Sequence, residues 1–140
     1  MNRSFLPLAT AAALVLGLAA APAADKKLDP SKLPAAATQA GVTFDKDIKP
    51  IFEKSCVKCH GTEKPKSKFD ATTLASVLKG GKNAPDVVPG KSGESPLVYS
   101  VAHVGDEDDF MPPPDNKAKI PPLTKDQIGL IRAWIDQGAK

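Results

Sequence analysis

Cys56-Val57-Lys58-Cys59-His60 is the stretch on which the reading of this sequence turns. Two thiols three positions apart on one turn of helix can each add to one vinyl group of a porphyrin, and the adjacent imidazole then falls under the iron. Covalent capture and proximal ligation therefore arise together from five residues. Two other chemistries use the same pair: a structural or redox disulfide between Cys56 and Cys59, or half of a zinc site. A zinc site wants further ligands at matching spacing, and the chain has 2 cysteines in all. A thioredoxin-like site expects a βαβ context, which the proline-rich and helical flanks of the motif do not supply. The spacing predicts one haem c, held through Cys56 and Cys59, with His60 as an iron ligand.

An iron held in this way either has a sixth ligand or lacks one, and the choice separates electron transfer from the binding or catalysis of a small molecule. Met111 is the only methionine beyond Met1, and Pro112, Pro113 and Pro114 follow it directly. Prolines stiffen a loop and remove backbone donors. A rigid loop can aim a thioether, whereas a methionine flanked by three prolines lies on no helical stripe. Met111 is the predicted distal ligand, with simple core filling as the alternative. His103 is the only other histidine and could compete for the iron. It closes a segment, Ser95 to His103, whose Ser-Pro opening is a helix start, and Leu97, Val98 and Val101 already define the buried stripe there. His103 is therefore expected at the surface or at the haem edge.

The elements framing the site follow from periodicity. Phe44, Ile48, Ile51 and Phe52 recur at helical spacing from Asp45 toward the cysteines, with Pro50 tolerable only in a first turn. The haem is expected to hang from the end of that helix. Thr124-Lys125-Asp126-Gln127 is a capping box, and Ile128, Ile131, Trp134 and Ile135 line one face before Gly138. Thr72 to Lys79, with Leu74, Val77 and Leu78, reads as a short helix closed by Gly80-Gly81, and 83–95 as a loop of Pro and Gly. Strand signals are absent, so the expected fold class is all-α, about four short helices around one covalently bound haem.

At 140 residues and 41% hydrophobic content, the chain can bury one modest core. A haem would add apolar surface to that core. Asn2 and Arg3 followed by the apolar run Phe5 to Ala21 and the small residues Ala21-Pro22-Ala23 read as a secretory signal over 1–23, with export to the periplasm. An uncleaved membrane anchor is the competing reading, which Pro7 and Thr10 disfavour by interrupting the run. Asp25 to Gly41 has no helical or alternating period, so 24–41 is expected to be a flexible extension and 42–140 the folded domain. Without Arg3 the count of Lys plus Arg falls from 19 to 18 against 16 acids, and the formal charge from +3 to +2. Neither that balance nor an aromatic content of 5% argues for nucleic acid.

The order of N-terminal helix, CxxCH, short helices, Met-Pro loop and C-terminal helix resembles a single-domain class I, monohaem cytochrome c. Two stretches narrow the resemblance. Phe44 to Phe52 before Cys56, and Leu78-Lys79-Gly80-Gly81 with Val88-Pro89-Gly90-Lys91 after it, are similar to the cytochrome c domains described from planctomycetes. The similarity covers Val42 to Gly138. It implies Cys56 and Cys59 as thioether anchors, His60 as proximal and Met111 as distal ligand, and first and last helices packed across each other with Trp134 in the crossing. Lys66-Ser67-Lys68-Phe69-Asp70 departs from the glycines and aliphatic residue that such domains often carry after the haem motif. The function expected is single-electron transfer, not catalysis, by a soluble monomer between redox protein partners. A sensor or peroxidase-like enzyme with a labile distal ligand is the alternative, and a haem-free thiol protein a third. Lys58, Lys64, Lys66 and Lys68 after the motif, against Asp106 to Asp109 before Met111, read either as a bipolar surface for docking or as solvated loop charge.

Overall fold

The computed structural model describes residues 28–140, so the expected signal over 1–23 and the first residues of the expected extension lie outside the described residues. Within 28–140 the chain forms four α-helices and no strand: α1 (Lys49–Ser55), α2 (Leu74–Lys79), α3 (Pro96–Ala102) and α4 (Lys125–Asp136), joined by long loops with single 3-10 turns. No helix among the described residues is long and apolar enough to cross a membrane.

The first apolar stripe is buried as its period predicts, with Phe44, Ile48, Ile51 and Phe52 all in the core. The backbone beneath it is not one uniform helix. Phe44–Ile48 is a π-helical turn in which the Lys49 N–H reaches back to the Phe44 carbonyl, and α1 starts only afterwards, with Pro50 in its first turn. Proline has no N–H to return to residue 46 and its ring crowds that carbonyl, so the wider turn accommodates what an α-turn could not.

That π turn is the part of the N-terminal helical segment that meets α4. The Phe44 ring lies 5.7 Å from Trp134 and 6.0 Å, edge-on, from Phe52. Phe44 N–H and Trp134 Nε1–H both donate to the carbonyl of Lys140, at 2.9 and 3.0 Å. The indole is fully buried with its one donor satisfied, as a buried tryptophan requires. On its other side α4 packs against α3.

Two helix starts carry capping boxes, one of them expected. Thr124 and Gln127 form the expected capping box, and Thr73 and Ser76 form a second one that starts α2. Ser95 behaves differently. Its hydroxyl is fully buried and knits the preceding loop, donating to the Lys91 carbonyl and accepting from Val88 N–H, both at 2.9 Å, so α3 opens on Pro96 without a side-chain cap.

The expectation of a flexible extension is corrected where the chain is described. Leu33 is buried, Ala37 N–H donates to the Gly129 carbonyl at 2.9 Å, the Arg132 guanidinium donates to the Pro34 carbonyl, and Gln137 Nε2 donates to the Gln39 carbonyl at 2.8 Å. Residues 33–39 thus run along α4 and cover it. The segment lacks a period of its own because its hydrogen bonds go to side chains and backbone of α4, not to itself. Gly129 makes that approach possible: a Cβ there would lie 2.8 Å from the Ala35 carbonyl oxygen.

Candidate functional site

The cysteine motif continues directly off α1. Cys56 N–H donates to Phe52 O at 2.7 Å, and Cys59 N–H and His60 N–H both donate to Cys56 O, at 3.1 and 2.9 Å. Cys56, Cys59 and His60 therefore sit on one turn, as the spacing requires. Both thiols are free and half-buried. Burial, with Cys59 beside it, pushes the Cys56 thiol up to about 12, so at neutral pH it is a neutral, weakly nucleophilic group facing apolar surroundings.

His60 is fixed by the loop that follows it. Its Nδ1 lies 3.1 Å from the carbonyl of Lys66 and 3.1 Å from that of Phe69. A carbonyl only accepts, so Nδ1 carries the hydrogen and Nε2 keeps its lone pair free. This is the outer arrangement by which proteins set tautomer and ring direction in a metal-binding histidine. The Phe69 ring, buried, stands edge-on to the imidazole at 5.5 Å. The loop reaches this shape through left-handed backbone at Lys64, Ser67 and Lys68, with φ of 50, 52 and 60°. Each such residue costs roughly 1–2 kcal/mol relative to a right-handed one. The departure from glycine noted at 66–70 thus falls where glycine would relieve strain. Gly81 braces the loop from outside: Ser67 O accepts from Lys82 N–H at 2.7 Å, and a Cβ on Gly81 would sit 2.7 Å from that same oxygen.

Met111 is held from the other side. Its N–H donates to the Ser100 carbonyl of α3 at 3.0 Å. Asn116 Nδ2 donates to the Pro113 and Ile120 carbonyls at 2.8 and 2.9 Å, while its Oδ1 accepts from Ile120 N–H at 2.8 Å. His103, expected at the surface or the haem edge, is half-buried at the C-terminal end of α3, bonded through Nε2 to the Pro112 carbonyl at 3.1 Å. Sequence reasoning missed Asn116 and the role of Ser100. For Asn116 the signal lies in the three prolines, which supply no N–H groups and put side-chain donors in demand; Ser100 acts through its carbonyl, which leaves no trace in the sequence.

Cys56, His60 and Met111 line one cleft. Phe69, Leu97 and Val101 form apolar wall, and the empty volume out to the open mouth is about 800 Å³. A further hollow of about 380 Å³, shared with Cys59, Pro112, Pro113, Ile120 and Leu123, meets the same three residues. Two thiols, one imidazole with a free Nε2, one thioether and otherwise mainly apolar wall form a donor set suited to a covalently attached haem. Among the described residues no cluster of three or more His, Cys, Asp or Glu side chains could hold a metal ion on its own. Charge around the cleft is uneven: Asp86, Asp108 and Asp109 outnumber Lys82 in its lining, while Lys58, Lys66 and Lys117 outnumber Asp115 in the hollow beside Cys59.

No curated protein and no solved structure is matched by the chain. Residues 56–115, from the first cysteine of the motif through the Met-Pro loop, match the family model described as planctomycete cytochrome C.

Proposed function

We propose that the chain is an exported, monomeric monohaem c-type cytochrome that passes single electrons between redox proteins. Cys56 and Cys59 would hold the haem by thioether bonds, His60 would ligate the iron through Nε2, and Met111 would supply the sixth ligand through its sulfur. When bound, the group supplies a one-electron iron couple, and the rest belongs to the chain. The observation that carries this reading is the pairing of His60 and Met111 on one cleft. The first has Nδ1 committed to two carbonyls, and the second is held by the Ser100 carbonyl.

What the residues do is hold and exclude. The carbonyls of Lys66 and Phe69 keep Nδ1 protonated and raise the basicity of Nε2. Phe69, Leu97, Val101, Ile120 and Leu123 keep water from the cleft wall, which favours the less charged, reduced state. A tethered loop at Met111 makes the distal side closed, an arrangement that suits electron transfer and not peroxide or gas chemistry. Redox partners would approach the cleft, where the uneven charge around it gives docking an orientation.

The test uses the haem-loaded protein. A pyridine haemochrome spectrum of the covalent type is expected, with a thioether-to-iron charge-transfer band in the ferric form. Met111→Ala should abolish the band, lower the reduction potential and open the iron to carbon monoxide. Covalent haem absent altogether would end the cytochrome reading. An unchanged potential and low-spin spectrum in Met111→Ala would remove Met111 as the ligand, and rapid carbon monoxide binding by the unaltered protein would favour a ligand-binding or catalytic role.

A further inference from the structure

We propose that His103 is a positioning residue for the Met111 thioether, one side chain that fixes the chain on both sides of the ligand without entering the cleft. The inference rests on Met111 being the sixth ligand. His103 Nε2 lies 3.1 Å from the Pro112 carbonyl, and its ring stacks on Phe110 with centroids 4.6 Å apart and planes 5° from parallel. Phe110 and Pro112 are the two neighbours of Met111, so the stack and the hydrogen bond bracket it.

The carbonyl of Pro112 can only accept, which places the ring hydrogen on Nε2 and commits that nitrogen to the loop. Pro112 is buried. The following residues 113 and 114 are prolines, so neither of the next two residues has an N–H to offer that carbonyl. His103 also sits in left-handed backbone, φ +53°, as the C-cap of α3, its own N–H returning to carbonyls of that helix. A non-glycine residue in this conformation costs roughly 1–2 kcal/mol, and such strain persists only where the surroundings over-determine it. Here it turns the ring out of the helix and back over the Met111 loop. Ser100 holds Met111 by its N–H, and Asn116 holds Pro113. His103 supplies the remaining tie, at the peptide that directly follows the ligand.

Three variants of the haem-loaded protein separate the donor from the ring. His103→Phe keeps a stack on Phe110 and removes the donor. His103→Gln keeps a donor and removes the stack. His103→Gly removes both ring and donor and suits left-handed backbone, so its difference from His103→Gln carries the comparison should the phenylalanine variant fail to hold haem. The readouts are the thioether-to-iron band and the affinity of the ferric protein for added imidazole, which must displace the thioether to bind. His103→Phe is expected to weaken the band and tighten imidazole binding about tenfold, the worth of one hydrogen bond to a buried carbonyl. His103→Gln is expected to restore most of both. A merely structural role would lower the melting temperature and leave imidazole affinity unmoved, and that result overturns the proposal. So does equal loosening in His103→Phe and His103→Gln, since the donor would then be irrelevant. If instead the unaltered protein shows no thioether band, or Met111→Ala leaves it intact, the assignment of Met111 fails first and is recognisable as a separate failure.

Discussion

Gly129→Ala tests how the N-terminal segment is held to α4, and two opposing effects decide its sign. In an exposed helix interior the change would stabilise by about 1 kcal/mol through backbone propensity alone. At this position the new Cβ would lie 2.8 Å from the Ala35 carbonyl oxygen and 3.4 Å from Ala37 N, both backbone atoms that cannot rotate away. The segment must then lift by several tenths of an ångström along its length. Lifting weakens the Ala37 to Gly129 hydrogen bond, worth about 1 kcal/mol, and the charged bond from Arg132 to Pro34 O, worth roughly 1.5–3 kcal/mol. It also begins to expose Leu33, whose full burial is worth about 2 kcal/mol. Part of the sum is returned as chain entropy when the segment loosens. The net expectation is destabilisation by about 2 kcal/mol, a fall of roughly 8 °C in melting temperature for a domain of this size. Denaturant melts of the haem-loaded protein measure it, together with Leu33→Ala and the double variant. If the segment is displaced, Leu33→Ala should cost much less in the Gly129→Ala background than alone. A Gly129→Ala protein that is more stable by about 1 kcal/mol, with Leu33→Ala additive, would show that the segment does not pack on α4.

Two further predictions concern the cleft and its mouth. In folded, haem-free protein Cys56 should alkylate at pH 8 about a thousandfold more slowly than an unhindered thiol, because its titration is raised from 9.0 to about 12. The fold favours the protonated thiol. Its contribution to stability is therefore complete below about pH 9 and lost as pH rises through about 12, a loss that covalent haem attachment abolishes. Alkylation as fast as a free cysteine at pH 8 would contradict that burial. Electron exchange with a charged protein partner should slow as ionic strength rises from about 0.01 to about 0.15 M, where the screening length falls from about 30 to about 8 Å, if the lysines beside Cys59 steer docking. A flat response in stopped-flow measurements would remove the steering.

Legibility in the sequence followed the range of the interactions. Helices were readable where a period or a cap announces them: α4 through the Thr124 and Gln127 box and the Ile128, Ile131, Trp134, Ile135 stripe, the first segment through Phe44 to Phe52. The five-residue motif announces its own geometry, since three-residue spacing on a turn is local. Interactions that join distant residues through irregular backbone leave no such trace. Nothing in Ala35-Ala36-Ala37 signals that it lies on Gly129, and nothing in Lys66 to Phe69 signals that two carbonyls converge on His60 Nδ1. The π turn was half-legible: Pro50 marked a conflict with a continuous helix, and the structure resolves it one turn earlier than a plain α-helix would.

The two sides of the cleft solve the same problem with opposite polarity, and the helix lengths explain why. With α1, α2 and α3 no longer than seven residues, most of the residues that face the cleft stand in loops. Loop positions acquire stiffness only from bonds made across the chain. On the His60 side the side chain is the donor: His60 Nδ1–H reaches backbone carbonyls of a loop bent by left-handed residues. On the Met111 side, backbone carbonyls of the proline run are met by side chains, His103 at Pro112 and Asn116 at Pro113, the latter joined by the Asn116 N–H. Loosening either set leaves the core around Trp134 and Phe44 untouched, because none of those bonds passes through it. Substitutions at His103 or Asn116 should therefore register first in how firmly Met111 is held and only weakly in global unfolding, whereas Gly129 and Leu33 should show the reverse.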